Sequence, residues 1–349
     1  MISRLQLTIL SASSASLRRP LSYSTTTTIA SSTASHFFFP LKIQTPLFLR
    51  PLSHSCPPSS LLSFRQWAES LARSSAPQLS VDGGPSASEL LRELSWLLQD
   101  ATFQAGDTLL LRTDLEDLHR LWLQRIEERR PFQYIVGCEH WRDLVLAVRE
   151  GVLIPRPETE ELVDLVAGVE GFKDGLWADL GTGSGAIAIA IGRMLGDNGR
   201  VVATDLSEVA VEVARFNVGR YKLEDKVEIR QGYWFEPLQD LQGKLSGLVS
   251  NPPYIPSSHI PGLQGEVSKH EPSLALDGGN NGMHHLFHLC GGLISALKPG
   301  GFFAFETNGN KQSEYIVDLL SSQGSNLFHD MRIVTDFAGI KRFVMGYYR

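Results

Sequence analysis

A glycine-rich loop follows a short apolar run near the middle of the chain and leads into an apolar, helix-forming segment. Glycine lets a backbone approach its ligand closely, and the first turn of a helix offers free N–H groups, so the loop suits a nucleotide-sized ligand. Asp205 ends the next apolar run, where its carboxylate can accept hydrogen bonds from both hydroxyls of a ribose. A tight strand-to-helix turn would explain the glycines but not Asp205. The predicted ligand-binding residues of the loop are Asp179, Gly181, Thr182, Gly183, Ser184 and Gly185.

Two classes of cofactor fit this loop. Its spacing is GxGxG with Ala186 following, whereas the dinucleotide fingerprint has its third glycine one position later. That difference favours S-adenosylmethionine over a dinucleotide without deciding between them.

A second group of residues, Ser-Asn-Pro-Pro-Tyr over 250–254, ends the fourth predicted strand. In a doubly wound sheet the first and fourth strands flank the point where the strand order reverses, and ligands bind beyond their carboxyl ends. Asn251 is therefore predicted to face the glycine loop across one crevice. The prolines alone could simply end a strand, because neither can donate to a ladder. The flanking asparagine and aromatic residue indicate chemistry.

These residues suit methyl transfer from a sulfonium to a planar amide or amino nitrogen. Such a nitrogen is a poor nucleophile because its lone pair is delocalised, so the site must hold it in line with the methyl group. The predicted catalytic residues are Asn251 and Pro252, whose oxygens can accept its two N–H bonds, and Tyr254, which can cover the planar group. A carboxylate has no hydrogens to offer, so the site should accept glutamine and refuse glutamate.

The elements that position these residues alternate between short apolar strands and helical stretches from Gly175 onward. This alternation predicts an α/β fold, with an open, mostly parallel, doubly wound sheet and helices on both faces, over residues 155–349. The predicted strands are 176–180, 201–205, 227–231, 247–250 and 301–306, with an antiparallel edge hairpin of 331–335 and 342–348.

Upstream of this sheet, apolar residues recur at spacings of three and four, which predicts a small all-helical domain over 86–131. Residues 132–154 contain two β-type runs broken by glycines and are predicted to form a β-hairpin connector. Residues 69–85 are rich in Ser, Pro and Gly, a composition typical of a linker.

The first 68 residues contain six basic residues, fifteen Ser and seven Thr but no acid. This composition predicts a disordered organelle transit peptide, and its hydroxyl content favours the plastid over the mitochondrion. A low-complexity tail without a targeting role is the alternative. The remaining chain holds 26 basic against 38 acidic residues, a formal charge of −12, which disfavours stable binding to nucleic acid.

Composition excludes several other classes of protein. A hydrophobic content of 42% and a charged content of 20% are typical of a folded protein, and no apolar run approaches the roughly 18 residues of a membrane span. The three cysteines form no CxxC pair, so neither a disulfide scaffold nor a zinc ribbon is expected. His284, His285 and His288 are interpreted as a partly exposed helix face, and no metal is predicted.

Several segments occur in the order found in the HemK/PrmC family of release-factor glutamine methyltransferases, which the chain resembles from about residue 86 to residue 349. The Asn-Pro-Pro-Tyr motif is shared with enzymes acting on adenine or guanine amino groups. The segment Pro155-Arg156-Pro157-Glu158 and the predicted helical domain before it are more specific to this family. The matching segments are 130–137, 151–160, 179–185, 250–255 and 299–301.

The resemblance implies methylation of the side-chain amide (N5) of the glutamine in the Gly-Gly-Gln motif of a class I peptide release factor, here an organellar one. It implies the doubly wound, seven-stranded Rossmann-like sheet of a class I methyltransferase. It also implies S-adenosylmethionine as the cofactor, with residues 181–185 and Asp205 holding it and Trp234 packing on the adenine. Asn251 would touch cofactor and substrate, and the helical domain would grip the release factor. The glutamine pocket would be lined by Asn251, Pro252, Pro253 and Tyr254.

Two departures from the family pattern stand out. Tyr233 replaces a usual aspartate, and Glu306-Thr307-Asn308 replaces a usual Glu-Ile-Gly, so no role is assigned to Glu306. Arg156 is likewise interpreted as a solvated linker residue.

Three other functions remain open at this point. An amino-group methyltransferase for nucleic acid would use the same pocket, but it normally needs a cationic surface. A binding module could keep the cofactor cleft without turnover, although the intact Asn251 to Tyr254 motif disfavours this. A nicotinamide dehydrogenase fits least well.

Overall fold

The computed structural model describes residues 45–105, 108–323 and 327–349. The predicted transit peptide lies outside the described residues for positions 1–44. At the N-terminal end of the described chain, helices pack around a core that includes Phe64, Leu94 and Trp122. These helices are α1 (Pro58–Leu79), α2 (Ala87–Ala101) and α3 (Leu115–Ile126).

Helix α1 corrects two predictions, because it includes residues expected to be disordered and the first part of the expected linker. Phe64, Ala68, Ala72 and Ala76 recur every four residues and are buried, which forms the apolar stripe of a helix. Ser70, Ser74 and Ser75 lie between the stripe positions and gave the segment the composition of a linker. The helical unit therefore begins before Ser86, which is the N-cap of α2 and forms a capping box with Glu89.

The expectation of an all-helical domain is also wrong. A small antiparallel sheet joins the helices, in the order β1-β3-β2, and buries Leu109 and Leu111. Its strands are β1 (His54–Ser55), β2 (Thr102–Ala105) and β3 (Thr108–Leu111).

The connector over 132–154 contains a hairpin, but its first predicted strand is the short helix α4 (Phe132–Val136). Pro131 precedes its first turn and Gly137 closes it in the left-handed conformation (φ 78°), and these end signals outweigh the β-branched residues between them. The hairpin itself consists of β4 (Cys138–Trp141) and β5 (Leu144–Ala147), which are antiparallel.

The main sheet confirms the predicted fold class. Within the described residues it has seven strands in the order β11-β12-β10-β9-β6-β7-β8, parallel except that β12 runs antiparallel to both of its neighbours. The edge hairpin is β11 and β12, as predicted. The strands are β6 (Leu176–Leu180), β7 (Arg200–Asp205), β8 (Val227–Gln231), β9 (Leu245–Ser250), β10 (Leu297–Glu306), β11 (Phe328–Thr335) and β12 (Lys341–Tyr348).

Helices cover both faces of this sheet. Neighbouring strand residues such as Trp177 and Ala178 belong to different buried clusters, because successive side chains of a strand point to opposite faces. Helices α5 to α7 pack on the Trp177 face, whereas α9 and α10 pack on the other. The helices are α5 (Glu160–Ala167), α6 (Ala186–Met194), α7 (Glu208–Arg220), α8 (Gly265–His270), α9 (His284–Ala296) and α10 (Asn310–Gln323).

A buried carboxylate joins the helical unit to the segment that follows β9. Glu266 in α8 accepts hydrogen bonds from Arg125 (3.0 Å) and from Arg129 (2.5 Å), and all three side chains are less than a tenth exposed. Burying such charges is tolerated only when they are paired, and removal of one partner is strongly destabilising. The helical unit is thereby fixed to the chain segment that carries residues 251–254.

Candidate active site

The two predicted groups of residues lie next to each other at the carboxyl ends of β6 and β9. These strands are parallel neighbours, and Leu180 pairs with Ser250. The Ser250 hydroxyl also donates a hydrogen bond to the Leu180 carbonyl (2.6 Å). The strand order reverses between β6 and β9, so the residues that follow them face a single crevice, as predicted from the sequence.

The glycine loop takes a backbone shape that requires glycine. Gly181 and Gly183 have positive φ values of 74° and 58°. A Cβ on Gly181 would approach the Trp234 ring to 3.3 Å, whereas a Cβ on Gly183 would meet no atom within 4 Å. Gly181 therefore allows the indole to lie against the loop, and Gly183 presents bare backbone to the cavity.

Asp179 lies beneath the loop and does not line the cavity. One carboxylate oxygen accepts hydrogen bonds from the Thr182 hydroxyl (2.6 Å) and from the backbone N–H of Ala188 (3.1 Å). Its other oxygen has no hydrogen-bond partner among the described residues, and burial raises the pKa of Asp179 to about 7. The structure therefore indicates that Asp179 fastens the loop to the start of α6.

Asp205 lines the cavity at the end of β7, as predicted. Its carboxylate accepts hydrogen bonds from the backbone N–H groups of Gly183 (2.8 Å) and Ser207 (2.9 Å), and burial raises its pKa. Each carboxylate oxygen can accept more than one hydrogen bond, so capacity remains for ligand hydroxyls.

Trp234 and Ser184 line the same cavity and carry buried polar atoms that fit a ligand. The Trp234 indole nitrogen and the Ser184 hydroxyl have no hydrogen-bond partner within the described residues. Buried polar groups are normally paired, so each of these atoms calls for one. Together with the loop and Asp205, they fit a nucleoside-bearing cofactor such as S-adenosylmethionine.

Replacing Asp205 by alanine is expected to weaken S-adenosylmethionine binding. The loss should be about 1.5–3 kcal/mol, or roughly 10- to 150-fold in Kd, which is the range for a hydrogen bond to a charged group. Isothermal titration calorimetry measures it, and Asp240→Ala is the matched control because Asp240 is exposed and pairs with Arg230 outside the cavity. An unchanged Kd for Asp205→Ala would exclude the ribose contact.

Asn251 lines the cavity, and its amide is held in one orientation. The side-chain nitrogen donates a hydrogen bond to the Thr159 hydroxyl (3.0 Å). Because Nδ2 is engaged on the side of Thr159, the acceptor oxygen Oδ1 is left for a ligand. This is the atom to which the sequence prediction gave the orienting role.

Only one of the other three residues of the motif, at positions 252–254, lines the cavity. Pro253 lines the cavity, whereas Pro252 and Tyr254 do not. The Tyr254 hydroxyl donates to Glu306 (2.9 Å), and its backbone carbonyl accepts from Gln312 (3.0 Å), so the residue is held at both ends. The substrate contacts assigned to Pro252 and Tyr254 remain predictions.

Sequence reasoning gave no role in this site to Thr159, Glu306 or Arg156. Glu306 ends β10 and is almost completely buried, with Thr159 and Tyr254 donating to its two oxygens. Arg156, interpreted as a solvated linker residue, instead pairs with Glu271 at 2.5 Å. No local sequence signal identifies Glu306, because it leaves the sheet beside Asn251 only through the register in which Phe305 pairs with Ser250.

The described residues contain neither a metal-binding cluster nor a membrane-spanning helix. In the part of the chain that the structure describes, no group of three or more His, Cys, Asp or Glu side chains could hold a metal ion. No described helix is both long enough and apolar enough to cross a membrane.

Comparisons with known proteins agree with this geometry. The family model "Methyltransferase small domain" matches residues 162–261. The chain is 41% identical over 267 residues to the release factor glutamine methyltransferase of Synechocystis sp., which covers 72% of this chain and 88% of that protein. The corresponding protein of Gloeobacter violaceus is 40% identical over 262 residues, covering 73% of this chain and 90% of its own.

Proposed function

This chain belongs to the release factor glutamine methyltransferase family, and we propose that it methylates the side-chain amide nitrogen (N5) of the glutamine in the Gly-Gly-Gln motif of a class I peptide release factor. The observation that carries the proposal is the fixed amide of Asn251, whose oxygen is available beside the cofactor loop. An acceptor in that place suits a substrate nitrogen that carries hydrogens.

The residues of this chain would hold the substrate amide rather than activate it chemically. Asn251 Oδ1 and the Pro252 carbonyl would accept its two N–H bonds, which directs the face of the nitrogen toward the loop of residues 181–185. S-adenosylmethionine, when bound there, supplies an electrophilic methyl group on a positively charged sulfur.

Methyl transfer to the amide nitrogen needs no strong general base. The new N–C bond forms as the C–S bond breaks, the bonding pair leaves with sulfur, and the alkylated amide nitrogen then loses one proton to water. Such a nitrogen is strongly acidic. The site therefore has to supply position and a desolvated environment, both of which speed reactions without proton transfer by a side chain.

The helical unit is proposed to grip the release factor. Glu266, buried between Arg125 and Arg129, fixes this unit to the segment that follows residues 251–254. A protein held by the helices would therefore present its glutamine at a constant distance from Asn251.

The full-length chain, which keeps α1 whole, is mixed with isotopically labelled S-adenosylmethionine and purified class I release factors to test the proposal. Peptide mass spectrometry should locate the added methyl on the glutamine of the Gly-Gly-Gln motif. A methyl group on another residue, or on added RNA instead of protein, would refute it.

We also propose that the release factor is organellar and that the protein acts in the plastid. The acid-free, hydroxyl-rich start of the chain supports targeting, and its hydroxyl content favours the plastid. Residues 1–44 fused to a fluorescent protein should direct it to plastids. Mitochondrial signal would reassign the organelle, and diffuse signal would remove the targeting role.

A further inference from the structure

A continuous chain of hydrogen bonds runs from the cavity to a buried carboxylate. Asn251 Nδ2 donates to Thr159 Oγ1 (3.0 Å), and Thr159 Oγ1 donates to Glu306 Oε2 (2.7 Å). The second carboxylate oxygen accepts from the Tyr254 hydroxyl (2.9 Å). Thr159 and Glu306 are 4% and 1% exposed, so water does not replace these partners.

The Glu306 carboxylate sets the donor and acceptor roles in every hydrogen bond of this series. An ionised carboxylate can only accept hydrogen bonds, and a threonine hydroxyl has one hydrogen to donate. Because Thr159 donates that hydrogen to Glu306, it can only accept from Asn251, which must then present its NH2 group. The carboxamide oxygen of Asn251 is consequently turned away from Thr159.

We propose that Glu306, acting through Thr159, is a positioning residue that fixes which end of the Asn251 amide faces the substrate. This inference rests on the proposed function, in which that amide oxygen accepts an N–H bond of the substrate glutamine. Neither residue has to touch the substrate. We call the hydrogen bonds from Asn251 through Thr159 to Glu306 the relay. Without the relay, the Asn251 amide could flip and present an N–H group to an N–H group of the substrate, which would repel the substrate.

The environment of Glu306 gives the relay a pH dependence. The groups that face it are Thr159 and Glu158 from the turn before α5, Tyr254 after β9, and Arg342 of β12. Burial raises the pKa of Glu306 to about 6, although Thr159 and Arg342 partly oppose the shift. Above this pH the group is an acceptor only. Below it, the protonated acid can donate to Thr159, and the direction of the chain is no longer fixed.

The first test replaces Thr159 by valine, which keeps the shape and removes the hydroxyl. We expect kcat for the release factor to fall about tenfold, equal to one hydrogen-bond energy in the transition state, with little change in the Kd for S-adenosylmethionine. Thr159→Ser should restore most of kcat. The matched control is Thr113→Val, because Thr113 is also buried and donates to a carboxylate, that of Asp117 (2.9 Å), away from the cavity.

A second measurement does not depend on turnover. In the free protein, the side-chain NH2 signals of Asn251 can be assigned by their loss in Asn251→Ala, and their hydrogen exchange reports the bond to Thr159. Exchange should accelerate in Thr159→Val and slow again in Thr159→Ser. If wild-type protein methylates no glutamine but the exchange follows this pattern, the proposed function fails while the relay stands.

A third measurement serves if Thr159→Val does not fold. Wild-type kcat should fall as the pH drops through about 6, and Glu306→Gln, which cannot ionise, should lack that acid limb. A kcat for Thr159→Val equal to that of Thr113→Val, or an identical acid limb in wild type and Glu306→Gln, would overturn the proposal.

Discussion

Replacing Asn251 by alanine is expected to lower kcat by about a thousandfold, the upper range for removal of one preorganised hydrogen-bonding group from an active site. The variant loses the acceptor that fixes one N–H bond of the substrate amide, so the nitrogen no longer points consistently at the methyl donor. Initial rates with a purified release factor and labelled S-adenosylmethionine measure the effect.

The affinity of Asn251→Ala for S-adenosylmethionine should change far less than kcat. Residues 181–184 and Asp205 line the same cavity and do not depend on the Asn251 side chain for their hydrogen bonds. Asn198→Ala is a suitable control because Asn198 is exposed in the turn before β7. If Asn251→Ala and Asn198→Ala turned over equally fast, the amide-orienting role would be excluded.

The position of this residue could be predicted from sequence because two local signals meet a general rule of topology. Apolar runs alternating with helices identified β6 and β9, and the rule for parallel sheets places their carboxyl ends together. The pairing of Leu180 with Ser250 confirms this juxtaposition. The Gly181 to Gly185 loop could also be predicted, because the residues that give it its ligand-binding character are adjacent in the sequence.

Thr159 and Glu306 could not be found in this way. They are 147 positions apart in the chain, and their contact depends on β10 lying beside β9 and on the turn before α5 folding over both strand ends. Each residue by itself has an ordinary explanation: a threonine next to a proline-rich turn, and an acid after a buried strand. The functional meaning arises from the direction of their hydrogen bonds, which spacing does not encode.

Composition misled the sequence prediction at α1. Serine, proline and glycine content is a property of a whole segment, whereas helix formation depends on which positions carry the apolar groups. The stripe of Phe64, Ala68, Ala72 and Ala76 was present in the sequence. Alanine contributes little to average hydrophobicity, so small residues that pack closely against α2 and α3 did not register as a core.

A release factor in which the methylated glutamine is replaced by glutamate is expected to be turned over at least about 10⁴-fold less efficiently, the discrimination reached when a site's buried polar groups lose their partners. The carboxylate offers no N–H to Asn251 Oδ1 or to the Pro252 carbonyl, and its charge would face two acceptor oxygens near the buried Glu306 carboxylate. Mass spectrometry would detect a methyl ester if transfer occurred.

A release factor with asparagine in place of the methylated glutamine separates the effect of side-chain charge from the effect of side-chain length. Asparagine keeps both N–H bonds but is one methylene shorter, so we expect its kcat/KM to fall by about a hundredfold through misplacement of the nitrogen alone. Glutamate should therefore be the poorer substrate of the two, although its length matches glutamine. Equal rates for glutamate and glutamine would contradict recognition by paired acceptors, because such recognition depends on the two hydrogens that only the amide carries.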